Sequence, residues 1–229
     1  MPLYNPAIKN IDLNELKRYS GLATCKEFPQ HLLDQACTEA QILTQPKAIW
    51  KIYDYDKDSS TIMSPEPLPL PSSAVSRHLA ASLKVAVIAV TIGPQLEEMV
   101  SDYFNKNEYT RGLLLDAAGT TAVELAADQA CEFMNQEVNK KGYIAVSRFS
   151  PGYGGWDIRV QPQIVSLAHA KDIQITSTPS CMLLPRKSIT AVIGLTANTC
   201  QNSFTNTIKD AKCGQCQQTN CFARKDDKE

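Results

Sequence analysis

The sequence predicts a globular domain that mixes α-helices and β-strands. Two observations carry this prediction: a continuous apolar run at 85–90, typical of a buried strand, and a long helical pattern at 109–140. In that pattern, apolar and small residues recur at steps of three and four between Leu115 and Phe133. The chain has 229 residues, of which 43% are hydrophobic and 21% charged, an ordinary globular balance.

The remaining elements follow from local signals along the chain. Asp12 can cap the first helix, and Glu15 stands three residues later, as in a capping box. Periodic apolar spacing marks the other helices, and runs of aromatic or β-branched residues mark the strands. The predicted helices are 12–20, 29–43, 73–82, 163–170 and one that begins at Pro94, and the predicted strands are 47–56, 144–147, 172–176 and 188–195.

Four prolines at alternate positions interrupt this pattern at 64–71 and exclude a regular element there. They favour an extended segment. We expect either a surface loop or a linker that separates an N-terminal helix–strand unit, residues 1–63, from the rest of the domain.

Composition excludes several classes of function. A net charge of −1 gives no electrostatic basis for binding nucleic acid or an anionic membrane. No apolar run approaches the ~20 residues that span a bilayer. The first residues lack the pattern of a secretion signal, so we expect a cytoplasmic location, where cysteines are thiols or metal ligands.

The stretch with the most chemistry is the segment 148–156, which we call the hub. Arg148 offers a fork of donors that suits a carboxylate or a phosphate. Pro151 and Gly152 form a turn, and Gly154 lets a ligand approach the backbone. Tyr153 adds a flat aromatic face. The hub could therefore bind a small molecule that carries a carboxylate and a planar base. The alternative is a glycine-rich surface loop whose aromatic side chains pack against the protein.

A polar row on the long predicted helix is the second candidate. Asp116, Thr120, Glu124 and Asp128 recur every four residues. Asp116 lies in an apolar setting and could hold a ligand ammonium group, or it could be part of a solvated face. We interpret Glu124 and Asp128 as a solvated face.

Arg-x-x-Pro-Gly-Tyr, from Arg148 to Tyr153, resembles the S-adenosylmethionine-binding motif in the activation domain of cobalamin-dependent methionine synthase. The hub, together with the blocks 91–93 and 185–190, is closer still to stand-alone proteins related to that domain. The similarity runs from about residue 11 to residue 195. It departs from the full-length enzyme at 154–155, where Gly-Gly replaces the usual Pro-Ala.

The resemblance implies an α+β domain over residues 1–195, with a mixed or antiparallel sheet and packed helices. It also implies that Arg148 holds the methionine carboxylate of S-adenosylmethionine, while Pro151, Gly152, Tyr153 and Gly154 shape the remainder of the site. The protein would then support reductive methylation of cob(II)alamin on a separate corrinoid protein or cobalamin-dependent methyltransferase. The chain carries no recognisable cobalamin module, so it is not a complete methionine synthase.

The tail at 196–229 is rich in cysteine. Cys213, Cys216 and Cys221 stand at metal-ligand spacing, and Cys200 could be a fourth ligand. Zinc and an iron–sulfur cluster both suit these thiolates, and a tail of reduced thiols or a redox pair remains an alternative. Two other functions therefore stay open: an iron–sulfur electron carrier for a corrinoid partner, and a non-catalytic ligand-binding or partner-docking module.

Overall fold

The computed structural model describes residues 2–25, 27–71 and 73–198, and an antiparallel sheet forms its centre. The described strands are β1 (Leu3–Tyr4), β2 (Lys47–Asp56), β3 (Thr61–Met63), β4 (Leu68–Pro69), β5 (Lys84–Thr91), β6 (Tyr143–Phe149), β7 (Thr176–Ser177), β8 (Leu183–Leu184) and β9 (Ser188–Ala197). Strands β7 and β8 pair separately, and the others form one sheet in the order β4-β3-β2-β5-β9-β6, with β1 beside β2.

Helices cover both faces of this sheet. The described residues form α1 (Leu13–Tyr19), α2 (Gln30–Leu43), α3 (Ser73–His78), α4 (Gln95–Asn105), α5 (Tyr109–Asn139) and α6 (Gln161–Leu167). Helices α1, α2, α4 and α5 share one core with the sheet, which we call the helix face. Helices α3 and α6 and the hub share the other, which we call the hub face. The predicted α+β class and antiparallel sheet are confirmed.

Strand β5 shows why the sheet lies at the centre. Its residues alternate between the two cores: Ala86 and Ile88 lie on the helix face, and Val85 and Val87 on the hub face. All four are at most 1% exposed. A strand that is apolar on both sides reads as a continuous hydrophobic run, the pattern that predicted it.

Three predicted elements differ from the structure. The strand expected at 172–176 is instead a 3₁₀ turn at Ala170–Ile173, followed by the short strand β7. The proline-rich segment contains the two-residue strand β4, which pairs with β3 at the sheet edge, where proline is tolerated. The helix expected at 73–82 ends at His78.

The N-terminal residues and the end of β9 belong to the same sheet. Strand β2 pairs with β5 over eight residues, from Lys47 opposite Thr91 to Asp54 opposite Lys84. Residues before 63 therefore contribute to both cores. Strand β9 continues past the expected domain end at 195 and pairs Ala197 with the first residue of β6.

Candidate functional site

A β-bulge in β6 decides the direction of Arg148. Ala145 lies opposite Leu195 and Arg148 lies opposite Ile193, so β6 uses three residues where β9 uses two. Leu195 and Ile193 both belong to the helix-face core, and the Arg148 side chain therefore points toward α5. The next residue, Phe149, points to the hub face. Alternation along the strand thus separates the cation of the hub from Phe149, and the bulge places the cation on the helix face.

The Arg148 guanidinium is buried against α5 and is incompletely hydrogen-bonded. Its side chain is 8% exposed. The terminal nitrogen Nη2 donates to Glu124 Oε2 at 2.8 Å and to Asp128 Oδ1 at 2.6 Å. The other terminal nitrogen, Nη1, is buried and has no hydrogen-bond partner among the described residues. A buried charged donor without an acceptor is costly, so this nitrogen marks a place for one more acceptor.

A second cation, Lys187, binds the same helix. Its Nζ lies 2.9 Å from Asp116 Oδ1 and donates to Thr120 Oγ1 at 2.8 Å. Its side chain is 14% exposed, whereas that of Asp116 is 41% exposed. The position that we predicted for a ligand ammonium is thus occupied by an ammonium group of the protein itself.

The two cations divide the polar row of α5 between them. Lys187 takes the first two members, and Arg148 takes Glu124 and Asp128, which lie about 12 Å farther along the helix. These two carboxylates are 38% and 68% exposed, so the predicted solvated face is also a guanidinium-binding face. Tyr19 of α1 is close as well: burial, then the negative charge of Glu124, raises the pKa of its phenol.

The edge of β9 between these cations has no neighbouring strand in the described structure. Strand β6 pairs with β9 from Val192 onward, so residues 188–191 of β9 have no strand on that side in the described structure. Lys187 stands at one end of this opening and Arg148 at the other. We call the opening the β9 notch: the edge of 188–191, the two cations, and the polar row of α5.

Main-chain groups face the β9 notch. On the opposite side of β9, the carbonyls of Lys187 and Leu195 accept hydrogen bonds from Ile92 and Leu83, the residues that flank β5. Because the direction of peptide groups alternates along a strand, those of Ser188 and Thr190 point into the β9 notch. Thr190 is 3% exposed. The β9 notch therefore contains unpaired-strand main-chain groups that are largely covered, together with a guanidinium nitrogen that lacks an acceptor among the described residues.

The turn of the hub, residues 150–156, begins where β6 stops and so borders the β9 notch. Its amides bond within the hub: Gly152 N–H donates to the Trp156 carbonyl at 2.8 Å, and Tyr153 N–H to the Ser150 carbonyl at 3.3 Å. Trp156 is 3% exposed and belongs to the hub-face core, so its ring packs inside the protein. Tyr153 is 69% exposed, and its ring presents the accessible aromatic surface of the turn.

Pro151 and Gly154 fix the shape of this turn. Pro151 is buried, and Gly154 has a φ of +55°, a left-handed conformation that side chains rarely adopt. A Cβ at Gly154 would lie 2.9 Å from Phe149 Cζ and 3.3 Å from Ala74 Cβ. Glycine is therefore required here for close packing on the hub face. The approach of a ligand to Gly154, expected from the sequence, stays a prediction.

The candidate metal ligands Cys200, Cys213, Cys216 and Cys221 lie outside the described residues. Within the described part of the chain, no group of three His, Cys, Asp or Glu side chains could hold a metal ion. The cysteines that can be described form no disulfide and are Cys25, Cys37, Cys131 and Cys181. No helix in the described ranges is long and apolar enough to cross a membrane.

Comparison with known proteins identifies the fold. No family model matches the sequence, and no curated protein matches it. Among solved structures, the chain is similar to the MetH reactivation domain bound to AdoHcy, with a TM-score of 0.60 and 12% sequence identity. The match covers 88% of this chain and 80% of the other. The fold-level resemblance to the methionine synthase activation domain is thereby confirmed.

Proposed function

We propose that this protein binds S-adenosylmethionine in the β9 notch and supports the reductive reactivation of cobalamin held by a separate protein. The observation that carries the proposal is the buried Arg148 Nη1, which has no acceptor among the described residues and lies where β6 stops pairing with β9. A ligand carboxylate would supply that acceptor with a charge-assisted hydrogen bond. The solved neighbour was crystallised with AdoHcy, which carries the same amino-acid group.

The residues around Arg148 suit the rest of an amino-acid ligand. Glu124 and Asp128 are within hydrogen-bonding distance of the guanidinium, so a ligand ammonium beside the carboxylate would find an acceptor in one of them. Asp116 is paired with Lys187 and lies about 12 Å from Glu124 along α5, so it is farther from a carboxylate held by Arg148. We therefore prefer Glu124 and Asp128 for the ligand ammonium.

The turn of the hub is proposed to hold the adenosine end. The backbone of Pro151 and Gly152 and the accessible face of Tyr153 would border the heterocycle, and Gly154 would keep the turn in the shape that this requires. The chemistry that S-adenosylmethionine supplies is its sulfonium methyl group. The part played by this chain is to bind and orient that group toward a corrinoid partner.

A titration by calorimetry tests the binding proposal directly. Purified protein should bind S-adenosylmethionine at one site per chain, and an Arg148→Ala variant that remains folded should bind it much more weakly. Folded wild-type protein that gives no heat of binding with this ligand would overturn the proposal. A structural module without a ligand would give that result.

The corrinoid step needs its own experiment. A cob(II)alamin-loaded corrinoid protein would be mixed with the protein, S-adenosylmethionine and a chemical reductant, and methylation of the corrinoid followed by absorbance. We expect faster methylation with wild-type protein than with Arg148→Ala. Equal rates with and without the protein would restrict its role to ligand binding.

We also propose that the cysteine tail binds zinc or an iron–sulfur cluster, on the basis of the spacing of Cys213, Cys216 and Cys221. Elemental analysis of anaerobically prepared protein should find metal near one site per chain, and a Cys213→Ser, Cys216→Ser variant should lose it. Metal-free wild-type protein after reconstitution with both metals would contradict this proposal.

An iron–sulfur cluster in the tail could deliver the electron that S-adenosylmethionine does not supply. The test is a chain that ends after Asn198, since an earlier end would cut into β9. This chain should bind S-adenosylmethionine normally and methylate the corrinoid more slowly. An unchanged rate of methylation would mean that the electron comes from the added reductant. The metal of the tail would then be structural.

A further inference from the structure

We infer that His78, at the end of α3, is a positioning residue for Arg148. It stabilises the β-bulge of β6 in the form that directs the Arg148 guanidinium toward α5. This inference rests on the proposed function, because Arg148 is the residue that would hold the ligand carboxylate. His78 contacts the two residues that flank Arg148, the main chain of Ser147 and the ring of Phe149.

The bulge determines which face of the sheet receives the cation. Two residues of β6, Val146 and Ser147, lie opposite Gly194 alone, and Arg148 therefore faces the helix-face core. Regular pairing of the same residues would turn the guanidinium toward the hub-face core. Since β6 is the last strand at this edge of the described sheet, its neighbour β9 constrains it from one side only.

His78 supplies a hydrogen bond to the bulge itself. Its Nε2 lies 2.7 Å from the carbonyl oxygen of Ser147. A carbonyl oxygen can only accept, so Nε2 carries a proton and donates it to this bond. The carbonyl belongs to the peptide group directly before the Cα of Arg148. The bond therefore fixes the orientation of the main chain at the point where the arginine side chain begins.

The imidazole ring makes a second contact that depends on the same pairing. Its centre lies 5.2 Å from that of the Phe149 ring, with the two planes inclined by 38°. Phe149 in turn lies 6.1 Å from the ring of Trp156. In the regular pairing Phe149 would point to the helix face, and both ring contacts would be lost. His78 thus favours the pairing in which Arg148 reaches α5.

Helix α3 is itself held firmly, so it can carry a positioning residue. Val75 and Leu79 are completely buried in the hub-face core on either side of His78. The hydroxyl of Ser76 donates to the carbonyl of Leu70 at 2.8 Å. The imidazole therefore approaches β6 from a fixed support and does not depend on a surface loop.

Three variants at this position separate the donor from the ring, with S-adenosylmethionine affinity measured by calorimetry. His78→Phe keeps a ring for Phe149 and removes the donor, and we expect the affinity to fall about two- to tenfold. His78→Gln places its Nε2 the same number of bonds from Cα as the imidazole Nε2 and should restore most of the affinity. His78→Asn, whose donor is one bond closer to Cα, should not restore it.

A double-mutant cycle shows whether His78 acts through Arg148. In the Arg148→Ala background no guanidinium remains to be positioned, so His78→Phe should change the affinity by less than about twofold. An equal loss in both backgrounds would overturn the inference, as would wild-type affinity in a folded His78→Phe variant. If His78→Phe does not fold, the comparison of His78→Gln with His78→Asn decides, and equal affinities of these two variants would overturn the inference.

Nitrogen-15 NMR of the free protein adds a measurement that needs no ligand. The guanidinium of Arg148 is 8% exposed and bound to two carboxylates, so its protons should exchange slowly, and Arg148→Lys identifies their signals. We expect these signals to be lost in His78→Phe and retained in His78→Gln. Retention in a folded His78→Phe variant would overturn the inference. The expected NMR pattern in a protein that does not bind S-adenosylmethionine would overturn the proposed function alone.

Discussion

Lys187 and Arg148 reach the same helix from the same sheet, but they differ in how completely they are satisfied. The Lys187 ammonium has a carboxylate and a hydroxyl as partners. Arg148 has two carboxylates, both bound through Nη2, while Nη1 has no partner in the described structure. The more strongly paired cation is thus the one that retains an unsatisfied donor.

The difference comes from the shape of the two cations. An ammonium is a compact charge with three donors that can rotate toward whatever is near. A guanidinium holds five donors in a rigid plane, so neighbours on one side leave the other side unsatisfied. A lysine can therefore close a structural contact, whereas a buried arginine at a strand edge keeps part of its plane available to a ligand.

Replacing Arg148 by alanine should have the largest effect, because it removes the cation with the unsatisfied donor and leaves Lys187 in place. We expect the affinity for S-adenosylmethionine to fall about ten- to a hundredfold, equivalent to about 1.5–3 kcal/mol, because a charge-assisted contact is lost. Calorimetry measures the change, and thermal unfolding shows whether the variant is folded. Unchanged affinity in a folded variant would remove Arg148 from the site.

Adding a methyl group at Gly154 should disturb the packing of the hub face and leave the two cations on the helix face untouched. Gly154→Ala would force the new Cβ against Phe149 and Ala74, and we expect the free energy of unfolding to fall by about 1–3 kcal/mol. Gly155→Ala is the control, since it also has a positive φ but no atom within 4 Å of its Cβ. Equal losses in urea unfolding would show that backbone strain, and not packing against Phe149, dominates.

Arg148→Lys should convert one end of the polar row into a copy of the other. Lysine can still pair with Glu124 and Asp128, so we expect stability within about 1 kcal/mol of wild type. It lacks the second nitrogen of the fork, and the affinity for S-adenosylmethionine should still fall about tenfold. Wild-type affinity in this variant would mean that charge alone, without the fork, holds the ligand.

Lys187→Met should have the smallest effect. Asp116 is 41% exposed and can be rehydrated, so we expect a loss of at most about 1 kcal/mol in thermal unfolding. The affinity for S-adenosylmethionine should change by less than about threefold if Lys187 contacts only Asp116 and Thr120 and not the ligand. A loss as large as that of Arg148→Ala would place Lys187 among the ligand contacts.

The long elements were predictable from the sequence because their signals are local. Strand β2 has the predicted bounds, and β5 and α5 each differ from prediction by a residue or so at their ends. The continuous apolar run and the three- and four-residue steps leave few alternatives. The turn at 170–173 was missed because its geometry depends on packing against the hub face.

The partners of the cations were not predictable from the sequence. The polar row was visible as a four-residue repeat, but which cation would meet it depends on strand order and on the bulge in β6. Arg148 and Asp128 are 20 residues apart, and Lys187 and Asp116 are farther apart still. Their opposite charges and one-turn spacing were the available signals, and they do not specify distances across a fold.

The bulge also makes the direction of Arg148 depend on how β6 pairs, and not on the number of residues alone. Regular pairing of the present residues from Ala145 onward would set Arg148 opposite Val192 and turn the guanidinium toward the apolar hub-face core. Deletion of one residue between Ala145 and Arg148 would remove the bulge and keep Arg148 opposite Ile193, on the helix face. A sequence alignment would display the same Arg-x-x-Pro-Gly-Tyr motif in all of these cases. Recognising functional relatives of this protein therefore requires the pairing of the strand that precedes the motif as well as the motif itself.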